Sequence, residues 1–329
     1  MAEILTDSDA DLDLAAGTLR AGALVAIPTE TVYGLAANAF CEAAVRQIFA
    51  VKSRPFIDPL IVHVHSLEQA GTLADISHPF VKRLAEAFWP GPLTLVLPKK
   101  KIVPDLVTAG HPTVAIRMPA HPVARKILQR ADLPLAAPSA NQFGYVSPTT
   151  AQHVQDSLGD RLRYIVDGGR CDCGVESAIV LVGDNPVLLR PGVISRERLE
   201  ACLGVPVALG KGLMETAADK GMLAPGLLKK HYSPRTRVEL FEGVPAEENA
   251  AGTAVVWQRR PADPGAGTLS KNVFWLSEDG DQTTVARNIF EFLRRLDGMG
   301  FSKIYIERSP DGGIGTAVND RLSRAAAKL

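Results

Sequence analysis

The chain has 329 residues, of which 46% are hydrophobic and 22% are charged, so it is long enough for two domains and its composition excludes extensive disorder. Lysine and arginine together number 36, as do aspartate and glutamate, which excludes a global electrostatic pull toward nucleic acid or membranes. Any anion-binding site must therefore come from a local cluster of cations.

Helical and strand-like patterns alternate along the first part of the chain. Leu12, Ala15 and Leu19 keep helical spacing before a stop at Gly22, and Ser195 is placed to cap a later helix. The patterns predict helices over residues 9–21, 41–52, 78–89, 121–131, 149–159 and 195–204. They predict strands over 23–28, 59–64, 93–98, 113–119, 134–140, 164–169, 177–183 and 186–192, and a polar turn over 29–35. Because several strands follow one another directly, we expect a mixed sheet in an α/β domain that ends at residue 209.

Residues 210–236 lack sustained periodicity and are punctuated by glycine and proline, so they are predicted to be a linker. Structureless segments of this length are usually functional or disordered, and the sequence HYSP at 231–234 looks too specific for a spacer. Beyond it, residues 237–329 predict a small, Rossmann-like α/β domain of ordinary domain size. Its expected strands are 238–243, 253–259, 272–277 and 303–308, and its expected helices are 283–300 and 314–329.

Cysteine spacing and the N-terminal sequence narrow the class of protein further. Cys171 and Cys173 are too close for a relaxed disulfide, and with Cys41 and Cys202 they form no zinc-binding set. The N-terminus is acidic and has no continuous apolar region, so we expect no signal peptide. No apolar run approaches the roughly 20 residues of a membrane helix. The expected location is the cytoplasm, with no membrane partner.

Hydroxyl groups and cations gather at the ends of the predicted strands of the first domain. Their recurrence predicts one concave site on a face of the sheet, although each residue alone has an ordinary structural explanation. The residues are Thr29, Glu30, Thr31, Lys52, Arg54, His63, Thr113, Arg117, Ser139, Asn141, Ser147, Ser177 and Arg190.

Lys52, Arg54 and Arg190 are candidates for binding phosphate groups, because guanidinium forks and ammonium groups suit phosphate oxygens. Arg117 lies within an apolar strand, where an unpaired charge is costly to bury. It needs an anionic ligand or an internal acid partner, either Glu30 or Glu176. The chain has no Walker loop, no nucleophile elbow and no H-E-x-x-H motif, and the sequence DGGIG at 311–315 is interpreted as a turn.

The motifs of residues 10–208 together resemble the YrdC-type domain of threonylcarbamoyl-AMP synthases. In chain order they are PTETVYGLAANA, KSRPFIDPLIVHV, PGPLTLVLPK, VAIRMPAHPVAR, PSANQFGYVSPT, GVESAIV and LLRPG. The segments APGLLKKHYSP and IGTAVNDRLSRAA resemble the linker and the C-terminal domain of the longer, two-domain form. The resemblance implies a twisted, mixed β-sheet YrdC-like domain followed by the smaller domain.

The resemblance also implies an activity. Members of this family are nucleotidyltransferases that convert L-threonine, bicarbonate or CO₂, and ATP into threonylcarbamoyl-AMP and pyrophosphate, usually with Mg²⁺. The product serves the N6-threonylcarbamoyladenosine modification of tRNA, and other proteins carry out the transfer. The expected partners are therefore the three substrates and the downstream tRNA transfer machinery, with a weak contact to tRNA or double-stranded RNA.

Roles for individual residues follow from the same resemblance. Lys52, Arg54 and Arg117 are expected to be catalytic, and no side chain is assigned as a metal ligand. The expected ATP-binding residues are Lys52, Arg54, Asp58, Thr113, Ser139, Asn141, Ser147, Arg190 and Tyr232. The expected threonine-binding residues are Thr31, His63, Arg117, Ala137 and Ser177. The linker is expected to close over the site as a lid that carries Tyr232.

Three residues depart from the family pattern. Asp58 stands where the family usually has asparagine, and an acid there repels phosphate unless it faces Mg²⁺ or pairs with Arg54. Ser53 stands where glycine is common, and Ala137 stands where a threonine-like hydroxyl is frequent. These changes concern binding strength, and the expected class of reaction stays the same.

Other functions fit parts of the sequence. A carbamoyltransferase has a similar domain, but this sequence carries no zinc-finger or acylphosphatase region. An RNA-binding or ribosome-assembly module suits a basic concave surface, yet the chain is neutral and has few aromatics near its basic residues. A nucleotide sensor without turnover is a further alternative.

Overall fold

A computed structural model describes residues 1–210, 224–226, 231–243, 245, 252–261 and 271–327. In the first domain the helices are α1 (Asp9–Arg20), α2 (Glu42–Lys52), α3 (Leu67–Leu73), α4 (Pro79–Phe88), α5 (Asp105–Thr108), α6 (Pro122–Ala131), α7 (Ala151–Leu158) and α8 (Arg196–Leu203). The strands are β1 (Glu3–Leu5), β2 (Val25–Ile27), β3 (Gly34–Asn38), β4 (Ile61–His63), β5 (Leu93–Pro98), β6 (Thr113–Arg117), β7 (Leu135–Ala136), β8 (Tyr164–Val166), β9 (Ala178–Leu181), β10 (Val187–Arg190) and β11 (Ala208–Leu209).

Local sequence explains where these helices begin. The Ser8 side chain accepts a hydrogen bond from the Asp11 backbone N–H at the start of α1, and Ser195 caps α8 in the same way. Helices α4 and α6 begin differently, each with a histidine cap followed by proline in the first turn. Capping thus fixes the helix starts close to the predicted positions.

The large sheet is mixed, as the direct succession of strands predicted. Among the described residues it has eleven strands in the order β1-β8-β2-β3-β7-β4-β6-β5-β9-β10-β11. The sheet contains both parallel neighbours, such as β4 and β6, and antiparallel neighbours, such as β5 and β6. The predicted fold class, a mixed α/β domain, is confirmed.

Five short elements were absent from the sequence prediction: β1, β3, α3, α5 and β11. Strand β3 begins at Gly34, so the prediction of a polar turn over 29–35 was wrong at its last two residues. Its sequence GLAAN lacks the β-branched residues that signal a strand, but it pairs antiparallel with β2, where Val25 lies opposite Ala36. Strand β1 similarly depends on pairing with β8, where Glu3 lies opposite the distant Tyr164.

A second, smaller sheet follows. It contains β12 (Arg237–Phe241), β13 (Thr253–Arg259), β14 (Val273–Ser277) and β15 (Lys303–Glu307), all parallel, in the order β12-β15-β13-β14 within the described ranges. With α9 (Gln282–Asp297) and α10 (Gly313–Ala325) it forms the expected Rossmann-like unit. The linker prediction falls partly on residues outside the described ranges, and the domain limits at 209 and 237 stay predictions.

Helices α9 and α10 lie where the two parts of the chain meet. Phe290 and Leu322 share one apolar cluster with Val32, Val146 and Val175 of the first domain. The second domain is therefore packed directly against the loops that carry the predicted site residues.

In the part of the chain that the structure describes, no helix is long and apolar enough to cross a membrane.

Gly192 tests how closely the chain is packed beside the site. A Cβ atom at this position would lie 2.2 Å from the Ala178 backbone nitrogen, and backbone cannot move aside cheaply. We expect Gly192→Ala to lower the free energy of unfolding by about 1–3 kcal/mol in urea titration. Gly183→Ala is the matched control, because nothing lies within 4 Å of its added Cβ. Equal stability of both variants would contradict this packing.

Candidate functional site

Alternation along the central strands sends their side chains to two faces of the large sheet. In β4, Val62 enters the main core, whereas Ile61 and His63 line a pocket on the opposite face. In β6, Ile116 enters the same core and Arg117, which lies opposite His63 in register, lines the pocket. Because successive side chains point to opposite faces, each of these strands contributes residues to both the core and the pocket.

The pocket is small, with a volume of about 50 Å³, and polar and charged residues are among those that line it. Space of this size holds a few water molecules. Its lining residues come from strand ends of the first domain and from the segment after residue 223. They are Thr29, Thr31, Val32, Gly34, Arg54, Ile61, His63, Arg117, Ala137, Pro138, Ser139, Glu176, Ser177, Arg190, Pro225, Gly226, His231 and Tyr232.

Arg117 has the internal acid partner that its position in an apolar strand requires. One Nη atom lies 2.6 Å from the Glu30 carboxylate, and the other donates a 2.8 Å hydrogen bond to the Thr31 hydroxyl. Its Nε donates to the Gly91 carbonyl at 3.2 Å. The guanidinium is therefore held rigidly at the pocket wall, with its charge balanced by a carboxylate.

Lys52 and Arg54 are held mainly by backbone carbonyls. The Lys52 ammonium donates 2.6 Å hydrogen bonds to the carbonyls of Ser139 and Asn141, which ties the end of α2 to the loop after β7. Arg54 donates to the carbonyls of Asp58 and Pro59. Burial lowers the pKa of Lys52 well below its usual value, and the neighbouring Arg54 charge acts in the same direction.

Asp58, which stands where the family usually has asparagine, has an arginine partner in the structure. Its carboxylate is fully buried and lies 3.0 Å from an Arg54 Nη atom, so it pairs with that arginine. Burial raises the pKa of Asp58, whereas the charges of Arg54, Lys52 and Arg190 oppose the rise. Asp58 therefore neutralises part of a cluster of buried cations.

Arg190 joins the end of β10 to the start of β9 and to the segment after residue 223. It donates to the Ser177 carbonyl at 3.1 Å, to the Ser177 hydroxyl at 3.3 Å and to the Pro225 carbonyl at 3.1 Å. Ser177 also shares a 2.7 Å hydrogen bond with Thr94. Burial lowers the pKa of Arg190, so this cation too gains from an anionic ligand.

Tyr232 and His231 close one side of the pocket. Tyr232 is fully buried with a positive φ of 60°, and its hydroxyl has no hydrogen-bond partner among the described residues. Gly226 is required here, because a Cβ atom would lie 2.8 Å from both the Tyr232 hydroxyl and an Arg190 nitrogen. An unpartnered hydroxyl beside a buried arginine is the arrangement expected for a group that contacts a polar ligand.

Comparisons with known proteins agree with this geometry. Residues 17–192 match a family described as "Telomere recombination", and residues 194–327 match one described as "Threonylcarbamoyl-AMP synthase, C-terminal domain". The threonylcarbamoyl-AMP synthase of Pyrococcus abyssi is 41% identical over 95% of this chain and 93% of its own length. That of Bacillus subtilis is 40% identical over 98% and 94%. This chain belongs to the threonylcarbamoyl-AMP synthase family.

A solved structure extends the likeness to the whole fold. The structure of P. abyssi Sua5 complexed with L-threonine superposes with a TM-score of 0.88 at 37% identity, covering 99% of this chain and 98% of that one. Membership in the synthase family supports the main functional prediction over the RNA-binding module and the carbamoyltransferase.

Most of the predicted site residues of this family member meet in the pocket. Those lining it are Thr31, Arg54, His63, Arg117, Ala137, Ser139, Ser177, Arg190 and Tyr232. Lys52, Asp58 and Asn141 lie behind the wall and contact lining residues or their neighbours. Ser147 donates to the lining residue Glu176. Their roles toward ATP and threonine stay predictions.

Thr113 is the predicted residue that the fold separates from the others. It begins β6 and lies opposite Pro98, whereas Arg117 at the other end of the strand reaches the pocket. Glu176 lines the pocket, although the sequence analysis named it only as an acid partner for Arg117. Its position directly before Ser177 was the sequence feature that indicated a place in the site.

Because His63 is buried in its neutral form, we expect acid to lower the stability of the folded chain. Burial lowers the pKa of His63 from 6.5 to about 3, and Arg117 acts in the same direction. Between these values the unfolded chain binds a proton that the folded chain does not, so the free energy of unfolding falls as pH falls through this window. We expect His63→Gln to reduce that pH dependence by about one proton per molecule, measured by urea unfolding at successive pH values. An unchanged slope would contradict the assignment.

Proposed function

We propose that this chain makes L-threonylcarbamoyl-AMP and pyrophosphate from L-threonine, bicarbonate or CO₂, and ATP, at the pocket described above. The observation that carries the proposal is the convergence of Arg54, Arg117 and Arg190, all buried, with hydroxyl groups on one face of the sheet. Such a site suits two anions held side by side, an amino-acid carboxylate and a polyphosphate. The product would serve tRNA modification in the cytoplasm, with transfer carried out by other proteins.

The chemistry needs positioning and charge stabilisation more than a protein nucleophile. The threonine amine combines with CO₂ to give a carbamate and releases a proton. A carbamate oxygen then attacks the α-phosphorus of ATP, and the bond to the pyrophosphate leaving group breaks. In this proposal Arg54 and Arg190 stabilise the phosphate charge, and Arg117 orients the threonine carboxylate.

Mg²⁺ would enter as the counter-ion of the ATP phosphates. Of the described carboxylates beside the pocket, Glu30 is paired with Arg117 and Glu176 with Arg321. We therefore assign no side chain to the metal. Weak contact with tRNA or double-stranded RNA is part of the proposal and has no role in the chemistry.

The segment after residue 223 is proposed to act as a lid. Pro225, Gly226, His231 and Tyr232 line one side of this small pocket, so their displacement would widen it for the nucleotide. Closing it afterwards excludes water, which would protect a carbamate and an adenylate from hydrolysis.

A direct assay tests the proposed reaction. The purified chain is incubated with ATP, Mg²⁺, bicarbonate and labelled L-threonine, and pyrophosphate and labelled adenylate are measured. We expect pyrophosphate release that depends on both threonine and bicarbonate, together with a threonylcarbamoyl adduct of AMP. Binding of ATP without product would contradict the synthase and favour a nucleotide sensor.

Arg117→Lys separates the threonine role from the ATP role. A lysine keeps a charge beside Glu30 but loses the planar fork, so we expect the KM for L-threonine to rise about tenfold with a smaller change in the KM for ATP. Lys126→Gln, at an exposed position of α6, is the control and should match the parent chain. A larger change in the KM for ATP would contradict the assignment of Arg117.

Asp58→Asn tests the charge balance behind the pocket. Because the amide leaves Arg54 without its counter-charge, we expect the ligand-free chain to lose about 3 kcal/mol of unfolding free energy. The same uncompensated cation should attract phosphate, so calorimetry should give a lower Kd for MgATP. Weaker MgATP binding would show instead that Asp58 contributes directly to nucleotide binding.

A further inference from the structure

Arg321 of α10 reaches from the second domain to the pocket of the first. Among the described residues it is the largest side chain that is less than 2% exposed. Its Nε donates a 2.7 Å hydrogen bond to the Glu176 carboxylate, and an Nη atom donates to the carbonyls of Glu176 and Pro191 at 3.3 Å and 3.0 Å. Its other Nη donates to Asp320 at 2.6 Å. The fork is thus fixed on two sides.

Glu176 connects this arginine to the substrate side of the pocket. Its second carboxylate oxygen accepts a 2.6 Å hydrogen bond from Ser147. The next residue is Ser177, whose carbonyl and hydroxyl both accept hydrogen bonds from Arg190. A displacement of Glu176 would therefore reach residues on both the proposed ATP side and the proposed threonine side.

The same guanidinium also contacts the proposed lid. Its central carbon lies 5.4 Å from the centre of the Tyr232 ring, within the range of a cation–π interaction. The Tyr232 ring also stacks on the Phe290 ring of α9, with 5.4 Å between the two ring centres. One arginine from α10 thus holds both the loop before β9 and the tyrosine of the lid.

We infer that Arg321 is a positioning residue of the substrate pocket, through which the second domain sets the affinity of the first for L-threonine and ATP. The inference rests on the proposed function, because it names what the second domain does for that reaction. Arg321 acts through Glu176 and Tyr232 and does not itself line the pocket.

Charge distinguishes this role from simple domain docking. Without Arg321, the Glu176 carboxylate would face a site for two anionic substrates with Ser147 as its one remaining side-chain partner among the described residues, and an unpaired buried anion repels them. Removing the carboxylate as well should relieve that repulsion. Domain docking alone predicts no such recovery, because the double change removes more of the interface.

The experiment compares Arg321→Gln, the double variant E176Q/R321Q and Arg170→Gln in the full chain. Arg170 is the matched control, since it joins the domains through Glu291 and Asn288 without lining the pocket. KM and kcat are measured for L-threonine and ATP, and the Kd for L-threonine is measured by calorimetry. For Arg321→Gln we expect both KM values to rise roughly tenfold or more with a smaller fall in kcat. The double variant should recover part of that loss, and Arg170→Gln should leave both KM values unchanged.

Other results overturn the inference in distinguishable ways. If the parent chain makes product and folded Arg321→Gln keeps both KM values, the inference is wrong and the proposed function stands. If Arg170→Gln raises both KM values as much as Arg321→Gln does, Arg321 is only a contact for domain docking and the inference is wrong. A parent chain without product overturns the proposed function, and this inference with it. If Arg321→Gln does not fold, Arg321→Met replaces it under the same criteria, because methionine fills much of the same space and also removes the charge.

Discussion

Burying cations without losing their charge is the constraint on which the structure around the pocket depends. Arg54, Arg117 and Arg190 are each at most 7% exposed, and an ion taken out of water costs several kcal/mol unless it is paired and hydrogen-bonded. The fold meets that cost with Asp58, with Glu30 and with backbone carbonyls. The outcome is a pocket whose positive groups are already ordered before an anion arrives.

The mixed sheet makes this arrangement attainable. Strand ends and the loops beside them leave carbonyl groups without ladder partners, and these carbonyls accept hydrogen bonds from the buried cations. The Ser139 and Asn141 carbonyls hold Lys52, and the Gly91 carbonyl holds Arg117. The loop after β7 and the turn before β5 therefore supply the acceptors that the site needs.

Sequence patterns predicted most of the fold and much of the site, for reasons that differ between elements. Capped helices, such as α1, and apolar strands, such as β5, are specified by residues close together in the chain. Their predicted positions therefore lie close to the observed ones. Strand β3 could not be predicted, because its five residues, GLAAN, become a strand only by pairing with β2 and β7. Thr113 begins β6 and Arg117 ends it; of the two, the arginine lines the pocket, and the expected role of Thr113 toward ATP stays a prediction.

The coupling between the domains is the part that no local pattern could reveal. Glu176 and Arg321 are 145 residues apart, and each has a plausible partner closer in sequence: Arg117 was considered for the glutamate, and Asp320 adjoins the arginine. Only packing of α9 and α10 against the first domain brings the pair together. Since Glu176 precedes Ser177 and also accepts from Ser147, a contact made for domain packing becomes a contact that shapes the pocket. The second domain is thus connected to the proposed reaction through charge as well as through apolar contact.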